Sequence, residues 1–343
     1  MTERTATPAS DAVLTCDLCG ADGTVRHGRQ RDRRLEAAGE WNVLGCPRCG
    51  LHWLDPRPRP ESLPDLYRGY YTHESRAAEQ ASGKTGRLRD AILASRMGYL
   101  ERRPSSAAWR VAGRLAGWIG PIRETVEMGV MRLPARTRGR LLDVGCGAGR
   151  FLLKMRSLGW DVAGVEVDSR AAAIARDRGL DVYEGGLEPG LVPSSSFDVI
   201  TLNHVIEHVP DPVETIALCR HALRPSGRLV LTTPNTSSWG HRSLGDRWFH
   251  LDVPRHLFLF DPETLVACVT RAGLTVRDLR TVSRSASLVW AMRRARRGFR
   301  PPRGFPDRVG AFLFHGAEHA AVSLGLPVGE EVFLVAEHDP GAP

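Results

Sequence analysis

The residues best placed for chemistry begin in the segment Leu141–Phe151, where a short apolar strand pattern runs into alternating glycines and then a helical pattern. The glycines are Gly145, Gly147 and Gly149. Without Cβ atoms they allow a sharp turn and let a ligand approach the amides at the helix N-terminus. The dinucleotide fingerprint is not met, because its last place holds Arg150. Asp143, just ahead, would repel a pyrophosphate but suits a cationic group. The loop therefore predicts a site for a nucleotide-type cofactor with a cationic amino-acid end.

A second acidic residue, Glu166, ends the next apolar run, Val162–Val165. A carboxylate at the end of a second strand is suited to bind two ribose hydroxyls, and a dehydrogenase would offer the same acid. Glu166 alone therefore does not separate the two classes. The third segment, Phe197–Val209, begins as another buried strand. We assign Asn203, near the end of that strand, to the cofactor site together with Glu166.

Four of the seven cysteines form two Cys-x-x-Cys-Gly pairs. They are Cys16 and Cys19, followed by Cys46 and Cys49. Two such knuckles supply four soft ligands for a tetrahedral zinc ion, and a filled coordination sphere predicts a structural ion. Disulfides are disfavoured in a reducing cytoplasm, and this spacing is less typical of iron–sulfur centres. The other three cysteines, Cys146, Cys219 and Cys268, are predicted to be small buried hydrophobes.

Histidines are concentrated after two predicted strands. His204 and His208 follow the fourth strand, while His241, His250 and His256 lie in a long segment after the fifth. Sheets of this type bind ligands at the carboxyl ends of their strands, and histidine is the best general base by pKa for an alcohol. We therefore name His256, His208 and His204 as candidate catalytic residues. The alternative for each is a hydrogen-bonded histidine that fixes its loop.

The order of these segments resembles the class I S-adenosylmethionine-dependent methyltransferases. In that family an acidic residue and a Gly-x-Gly-x-Gly loop hold the methionine moiety, which implies this role for Asp143 and the three glycines. The section from Phe197 to Pro234 resembles the family's fourth strand, helix and fifth strand. With the cysteine pairs ahead of it, the chain resembles a zinc-ribbon group that includes sugar methyltransferases. In that group Tyr70 and Tyr71 would lie over the cofactor, and the alternative is that they pack the ribbon onto the catalytic domain.

The run His204–His208 has two further interpretations. It matches the His-x-x-Glu-His pattern of some zinc proteases, but the protease context is lacking. Quinone O-methyltransferases carry a similar Glu-x-x-Glu-His, in which acidic residues and histidine bind a divalent cation next to the acceptor hydroxyl. Here His204 stands in place of the first glutamate. An active-site metal therefore remains an alternative, as does a role for Glu207 in capping or orienting a loop.

The elements that must position these residues predict an α/β fold. The resemblance implies a Rossmann-like seven-stranded sheet of strand order 3-2-1-4-5-7-6, with strand 7 antiparallel, and an N-terminal zinc ribbon. The closing strand is expected at Glu331–Ala336, and Leu51–Pro60 is expected to be an extended proline-rich connector. The expected domains are a disordered tail (1–12), the zinc ribbon (13–55), a linker with a helical cover (56–135) and the methyltransferase domain (136–343).

A helical insertion is expected within that domain at about 284–328. It begins with a basic amphipathic pattern at Ser287–Arg300 and continues with an apolar one around Ala311 to Leu326. A basic helix of this type suits peripheral contact with an anionic membrane, or a phosphorylated substrate. The simpler prediction is a solvated helix pair that roofs the acceptor pocket.

Composition limits the class of protein. The chain has 343 residues, 42% of them hydrophobic, which is enough for a sizeable core. With neither a membrane-spanning apolar run nor a secretory core at Met1–Pro8, it is predicted to be cytoplasmic. A net charge of +8 suits nucleic acid, but Lys84 and Lys154 are the only lysines, so we interpret the arginine excess as genomic base composition.

These features favour one function over two others. We expect an S-adenosylmethionine-dependent methyltransferase with structural zinc, acting on a small-molecule acceptor such as a sugar, glycolipid or natural-product intermediate. The first alternative is a ribosomal RNA guanine methyltransferase that recognises RNA through its zinc ribbon, although zinc sites in that group usually mix cysteine with histidine. The second is a non-catalytic module that binds S-adenosylmethionine. The acceptor atom and the oligomeric state are not predicted.

Overall fold

The structure is a computed structural model that describes residues 8–67, 83–294 and 305–339. Its chain divides into two compact units. The first unit consists of Met1–Tyr70, Leu202–His221 and Leu231–Pro343. The second consists of Tyr71–Thr201 and Ala222–Val230. The predicted Tyr70 and Tyr71 lie outside the described residues.

The N-terminal part of the first unit is built from short antiparallel strands and one short helix. They are β1 (Ser10–Asp11), β2 (Thr24–Gln30), β3 (Trp41–Gly45), β4 (His52–Asp55), β5 (Arg57–Pro58) and α1 (Leu63–Leu66). Strands β2, β3 and β4 pair in that order, and β1 pairs with β5. Two expectations are therefore corrected: β1 lies within the expected disordered tail, and β4 lies where a connector was expected. The reason for β4 is burial, because Trp53 and Leu54 are both in the core.

Three helices precede the main sheet in the second unit, in the region expected to be a helical cover. They are α2 (Lys84–Met97), α3 (Ala107–Ala116) and α4 (Gly120–Met128). Helices α2 and α3 cross closely at Gly113, where an added Cβ would lie 2.3 Å from the Cβ of Ala91. Glycine at this position thus brings one face of α3 against α2 and directs the opposite face outward.

The strands and helices that follow alternate along the chain. They are β6 (Arg140–Val144), α5 (Arg150–Ser157), β7 (Asp161–Glu166), α6 (Ser169–Asp177), β8 (Asp181–Glu184), β9 (Phe197–Asn203), α7 (Pro212–Ala222) and β10 (Leu223–Pro234). Strands β6, β7 and β8 are parallel, and their register places Asp143 beside Gly164 and Glu166 beside Glu184. Leu141, with its neighbour Leu142, is fully buried, as expected for parallel strands covered on both faces.

The remaining elements complete the first unit. They are α8 (Trp239–Leu244), β11 (Phe258–Leu259), α9 (Pro262–Arg271), β12 (Leu274–Val282), α10 (Ala286–Arg294), α11 (Phe305–Ser323) and β13 (Glu331–His338). Helix α9 begins at a capping box, because the Asp261 side chain accepts a hydrogen bond from the Thr264 amide and Pro262 occupies the first turn. Strand β11 pairs with β4, so the N-terminal sheet takes its fourth strand from residues after β10.

The main sheet has seven strands in the order β12-β13-β10-β9-β6-β7-β8. If the strands of this sheet are numbered along the chain, with β6 as strand 1, the order read from β8 is 3-2-1-4-5-7-6. Strand 7, which is β13, is antiparallel to its neighbour β12. The predicted fold class is confirmed. Among the described helices, none combines the length and the apolar content that crossing a membrane requires.

Candidate functional site

The glycine loop after β6 has the backbone that its sequence predicts. Gly145, Gly147 and Gly149 have φ angles of +72°, +54° and +78°, which residues with a Cβ rarely adopt. At Gly149 an added Cβ would also lie 2.2 Å from Cδ1 of Leu180. Substituting Gly149 would therefore both strain the backbone and create a clash with Leu180.

Asp143 lies one residue before the end of β6, and its carboxylate is buried. The hydroxyl of Thr201 donates a hydrogen bond to its Oδ1 at 2.6 Å. Burial raises the pKa of Asp143 to about 7, the Thr201 hydrogen bond opposes this, and the negative charge of Glu166 adds to it. Asp143 is thus a carboxylate whose charge is stabilised poorly by its own surroundings.

Glu166 ends β7 and fixes the glycine loop to the second strand. Its two oxygens accept hydrogen bonds from the amide of Gly147 at 2.7 Å and the amide of Asp168 at 2.9 Å. Burial raises the pKa of this carboxyl, and these amides partly offset the rise. In the part of the chain that the structure describes, no lysine, arginine or histidine forms an ion pair with Asp143 or Glu166. Two carboxylates that accept hydrogen bonds fit a ligand that carries an ammonium group and vicinal hydroxyls.

Asn203, the other predicted cofactor residue, ends β9 within the first unit. Its Oδ1 accepts a hydrogen bond from the Thr232 hydroxyl at 2.9 Å, and the residue is exposed. Its assignment to the cofactor stays a prediction.

The four N-terminal cysteines converge, as their spacing predicts. The sulfur of Cys16 lies 3.5 Å from that of Cys49, the sulfur of Cys19 lies 3.3 Å from that of Cys46, and all four lie within 4.8 Å of one another. A tetrahedral zinc–thiolate site has sulfur–sulfur edges of about 3.8 Å. The distances therefore fit one four-coordinate ion.

The two knuckles are also alike in backbone geometry. Gly20 and Gly50 have φ angles of +70° and +85°, and each amide donates to the carbonyl of the first cysteine in its pair. Burial opposes ionisation of the Cys46 thiol, but the amides of Cys49 and Arg48 lower its pKa to about 6. Amides aimed at sulfur are the environment that a metal-bound thiolate requires.

Two predicted histidines come together with a buried glutamate in the first unit. The rings of His208 and His256 lie edge to face, 4.5 Å apart between centroids. Ligand atoms of Glu207, His208 and His256 lie within 4.8 Å of one another. We call these three residues the histidine cluster.

Both imidazoles of the histidine cluster have one nitrogen committed to a carbonyl. Nδ1 of His256 donates to the carbonyl of His250 at 2.7 Å, and Nδ1 of His208 donates to the carbonyl of Arg255 at 3.0 Å. The hydroxyl of Tyr67 lies 2.8 Å from the same His208 nitrogen. These contacts assign a lone pair to Nε2 in each neutral ring. Burial lowers the pKa of His256 to about 3, so its ring is neutral at pH 7.

His204 lies on the other side of Glu207 and differs in charge. Its Nδ1 donates to Glu207 Oε1 at 3.1 Å, and its Nε2 lies 3.4 Å from Glu331. Although burial alone would lower it, the charge of Glu331 and the hydrogen bonds to both glutamates raise the pKa of His204 to about 9. His204 is therefore an imidazolium at pH 7. Arg284, 3.0 Å from Glu331, is the second cation at this carboxylate.

Glu207 is held by both of its carboxylate oxygens. Besides His204 on Oε1, the Thr233 hydroxyl donates to Oε2 at 2.9 Å. Burial opposes ionisation, but the His204 contact lowers the pKa of Glu207 to about 2. Each oxygen keeps a further lone pair for a ligand or a proton donor.

The loop that carries His256 is fixed to the N-terminal strands by a buried ion pair. Arg255 donates two hydrogen bonds to Asp32, of 2.8 and 2.7 Å, and two to Asp252, of 3.2 and 2.7 Å. Asp252 also accepts a bond of 2.8 Å from Arg34. These aspartates raise the pKa of Arg255 despite its burial, so it stays charged. The residue next to His256 is thus anchored to a partner 223 residues earlier.

Several residues of this site were not predicted as site residues from the sequence. They are Tyr67, Asp32, Arg255, Arg284 and Glu331. Arg255 directly precedes the candidate His256, and Tyr67 lies three residues before the candidate Tyr70. Glu331 directly precedes an apolar run, whereas Asp32 and Arg284 lie in polar surroundings that give no signal in the sequence.

Comparison with known proteins agrees with the sheet order and the glycine loop. Residues 122–279 match the family model described as "Methyltransferase domain". The matched segment contains the glycine loop, Asp143 and Glu166, so the chain is similar to methyltransferase domains over the region that carries the predicted cofactor site.

The curated relatives belong to one named activity. A ubiquinone biosynthesis O-methyltransferase of Aromatoleum aromaticum is 29% identical over 156 residues, which are 41% of this chain and 65% of that protein. One of Xanthomonas oryzae pv. oryzae is 34% identical over 153 residues, 41% of this chain and 64% of that protein. The chain thus spans just under two thirds of the length of the curated relatives it matches.

Solved structures of methyltransferases also align with part of the chain. A S-adenosylmethionine-dependent methyltransferase of Thermotoga maritima aligns with a TM-score of 0.43 and 20% identity, covering 66% of this chain and 92% of that one.

Proposed function

We propose that this chain transfers a methyl group from S-adenosylmethionine to a hydroxyl group of a small-molecule acceptor. The observation that carries the proposal is the histidine cluster, a buried ionised glutamate beside two imidazoles whose Nδ1 atoms each face a backbone carbonyl. Such a group accepts a proton from a hydroxyl and stabilises the imidazolium that results. The names of the curated relatives support an oxygen acceptor.

The donor is assigned to the second unit. S-adenosylmethionine supplies an electrophilic methyl group when bound. Asp143 would pair with the ammonium group, which favours the ionised form of a carboxylate whose pKa burial raises. Glu166 would accept from the ribose hydroxyls while it holds the Gly147 amide, so one side chain orders both the loop and the ligand.

We assign the role of general base, which accepts the proton of the acceptor hydroxyl, to His208 or His256. We assign a positioning role to His204. A base must be neutral at working pH, as His256 is. His204 is already protonated and hydrogen-bonds to Glu207, so its contribution is to keep Glu207 ionised and oriented. In the proposed reaction Glu207 then stabilises the positive charge that develops on a neighbouring imidazole.

Within the small-molecule class, we propose a sugar, glycolipid or natural-product intermediate as the acceptor. This choice rests on the cysteine pairs ahead of the methyltransferase domain. We further propose that the cysteine site holds structural zinc. The ion would keep the N-terminal strands folded and, through Asp32 and Arg255, fix the loop before His256.

A second candidate mechanism has a specific observation in its favour. Glu207, His208 and His256 offer one carboxylate and two imidazole nitrogens within 4.8 Å, a set that suits a divalent cation. Carbonyl partners on both Nδ1 atoms are the usual outer contacts of metal-binding histidines. Such a cation would lower the pKa of an acceptor hydroxyl, and the histidines would serve as ligands rather than bases.

Donor binding is tested by calorimetry with matched acidic variants. Glu166→Ala removes a carboxylate at the end of β7, and Glu184→Ala removes one at the paired position of β8. We expect Glu166→Ala to weaken S-adenosylmethionine binding by about 30-fold, equivalent to about 2 kcal/mol for two hydrogen bonds, and Glu184→Ala to leave it unchanged. No binding by the unmodified chain would refute the proposed activity.

The acceptor chemistry is tested by release of S-adenosylhomocysteine with panels of hydroxylated sugars and phenols. Once an acceptor is found, His256→Ala and His208→Ala should each lower kcat by about 100-fold or more. His221→Ala, an exposed histidine of α7, is the matched control and should have no effect. Equal activity of all three variants would refute a base in the histidine cluster.

The two mechanisms differ in their response to metal. If a histidine is the base, then Mn²⁺ added to protein that retains zinc at the cysteines should not bind to the histidine cluster. It should also leave the rate of methyl transfer unchanged. Saturable Mn²⁺ binding seen by electron paramagnetic resonance, lost in His256→Ala but not in His221→Ala, would select the metal-assisted mechanism.

A further inference from the structure

A second group of histidines, none of them in the histidine cluster, lies in the first unit. His27 on β2 is paired with Val43 of β3, and His52 on β4 is paired with Gly45, two residues further along β3. Directly opposite residues of an antiparallel pair lie on the same face of a sheet, so the two histidines share one face. Gly45 makes room there, because an added Cβ would lie 2.6 Å from Cδ2 of His52.

A third histidine, His241, reaches the same face from helix α8. Its ring centroid lies 5.1 Å from that of His27 and 6.0 Å from that of His52, edge to face in both cases. Nε2 of His241 lies 2.9 Å from Nε2 of His27. We call His27 and His241 the histidine pair. Two residues that are 214 positions apart in the sequence thus present the same ring atom to each other.

The ring of His241 has a fixed orientation. Its Nδ1 donates a hydrogen bond to the carbonyl of Thr236 at 2.6 Å, and the ring packs against the indole of Trp248, with 4.7 Å between the centroids. A neutral imidazole with its proton on Nδ1 has its lone pair on Nε2. A carbonyl at the other nitrogen is also the usual outer contact of a metal-binding histidine. His241 therefore directs a lone pair towards His27.

Both rings of the histidine pair are neutral at pH 7. Burial lowers the pKa of His27, and the neighbouring His241 lowers it further. Burial also lowers the pKa of His241, although its bond to a carbonyl opposes this. Of the charged side chains nearby, Arg26 and Arg242 disfavour a further cation and Asp246 favours one. All three are exposed, so solvent screens their charges.

The distance within the histidine pair suits two ligands of one metal ion. Bonds from a divalent transition metal to imidazole nitrogen are about 2.0–2.1 Å long. Two such bonds with nitrogens 2.9 Å apart enclose an angle of about 90° at the metal. Tetrahedral zinc would require nitrogens about 3.3 Å apart. An angle near 90° is instead that of square-planar or octahedral ions such as Cu²⁺ and Ni²⁺.

We propose that His27 and His241 bind a divalent transition-metal ion with ligands at right angles, Ni²⁺ or Cu²⁺, through their Nε2 atoms. Water would occupy the remaining ligand positions. On binding, the His27 proton would shift from Nε2 to Nδ1 of the same ring, so both rings would stay neutral. The ion would link β2 to α8 and would be distinct from the zinc proposed at the cysteines. Because it binds the folded state, it would also stabilise that state.

The proposal is tested by calorimetry and metal analysis with Ni²⁺, on full-length protein that retains zinc at the cysteines. Nickel is the probe because, unlike Cu²⁺, it does not oxidise thiolates. We expect saturable Ni²⁺ binding that raises the Tm of the unmodified chain. No saturable binding by the unmodified chain would overturn the proposal.

Glutamine variants separate metal binding from hydrogen bonding. A glutamine amide donates a hydrogen bond, as an imidazole does, but it is a poor ligand for Ni²⁺. We expect His27→Gln and His241→Gln each to lower the number of bound Ni²⁺ ions by one per chain, or to weaken that binding at least tenfold. His221→Gln, at an exposed position of α7, is the matched control and should bind as the unmodified chain does.

Three further results would contradict the proposal. Unchanged Ni²⁺ binding in both glutamine variants would show that the pair is a hydrogen bond and nothing more. Loss of all Ni²⁺ binding in His256→Ala, with none lost in His27→Gln, would place the ion at the histidine cluster. Tighter binding of Zn²⁺ than of Ni²⁺ at the pair would contradict the right-angled geometry. Circular dichroism and the zinc content of each variant serve as controls for folding.

Discussion

The glycine loop and the histidine cluster both contain a buried carboxylate, but the surroundings shift the pKa values of the two carboxylates in opposite directions. At the loop, Asp143 is surrounded by a hydroxyl and another acid, and burial raises its pKa to about 7. At the cluster, Glu207 contacts an imidazolium and its pKa falls to about 2. The loop thus leaves its counter-charge to a ligand, whereas the cluster contains its own. Under the proposed function, the loop would bind a cationic ligand and the cluster would accept a proton.

Zinc removal should affect the two regions most unequally, and it has the largest expected effect. Structural zinc contributes about 10–16 kcal/mol to the folding of small zinc domains. Chelation should unfold the N-terminal strands, release the Asp32 anchor of Arg255 and abolish methyl transfer. Donor binding by the second unit should change by less than about threefold.

Thiol titration and calorimetry check that outcome together. Four thiols should become reactive after chelation, while Cys146, Cys219 and Cys268 stay protected by burial. Donor binding lost in step with thiol exposure would show that the two regions do not behave independently.

Glu207→Gln should produce the next largest effect. It removes the negative charge beside the His204 imidazolium in a fully buried position. Breaking one partner of a buried ion pair costs about 3–5 kcal/mol, so urea denaturation should show a loss of this size. The matched control Glu214→Gln, on the exposed side of α7, should change stability by less than about 0.5 kcal/mol. A loss below about 1 kcal/mol for Glu207→Gln would contradict the built-in counter-charge.

Donor affinity should depend on pH through Asp143. Only the ionised carboxylate pairs with an ammonium group, and its pKa is raised to about 7. Between pH 6 and pH 7.5 the ionised fraction rises severalfold, so S-adenosylmethionine should bind about tenfold more tightly at the higher pH. Calorimetry across this range should find a flat profile for Asp143→Asn, and a flat profile for the unmodified chain would count against this carboxylate.

The smallest effect concerns stability without a ligand, and its sign is opposite to that at Glu207. Since the folded-state pKa of Asp143 is raised, the folded state holds an extra proton between about pH 4 and pH 7, and stability falls as pH rises through that window. Asp143→Asn removes the unfavourable charge and should stabilise the unliganded chain at pH 8, by on the order of 1 kcal/mol. Thermal unfolding checks this.

Asp168→Asn provides the control for that measurement. Asp168 caps α6 by accepting from the amides of Arg170 and Ala171, and asparagine caps about as well. The stability of Asp168→Asn at pH 8 should therefore equal that of the unmodified chain. Destabilisation of Asp143→Asn at pH 8 would remove the contrast between the two regions.

The sequence predicts the loop far better than the cluster, for a physical reason. The glycines, Asp143 and Glu166 lie within one strand–helix–strand unit, where local turns and register determine their positions. The strand order and the antiparallel closing strand are predicted instead by the family resemblance that the order of the segments carries. The cysteine pairs are equally local, since each knuckle is a single turn.

The charge state of the cluster depends on residues from distant elements. His204 becomes a cation because Glu331 comes from β13, and His256 is fixed because Arg255 meets Asp32. Neither contact leaves a periodic pattern in the sequence, so the sequence alone does not predict the difference in charge between His204 and His256. The predicted domain boundaries and the catalytic roles stay predictions.

The pairing of β4 with β11 has a consequence for how the protein is made. During synthesis the cysteine knuckles and β4 leave the ribosome roughly 200 residues before β11, which is about 10–40 s at ordinary elongation rates. Throughout that interval the edge of β4 has no strand beside it, and Asp32 lacks its guanidinium. The nascent N-terminal segment therefore emerges with an incomplete sheet and an uncompensated acid. Only when residues beyond 259 have been translated does the chain itself supply the missing strand, so chaperone demand should be greatest in that interval.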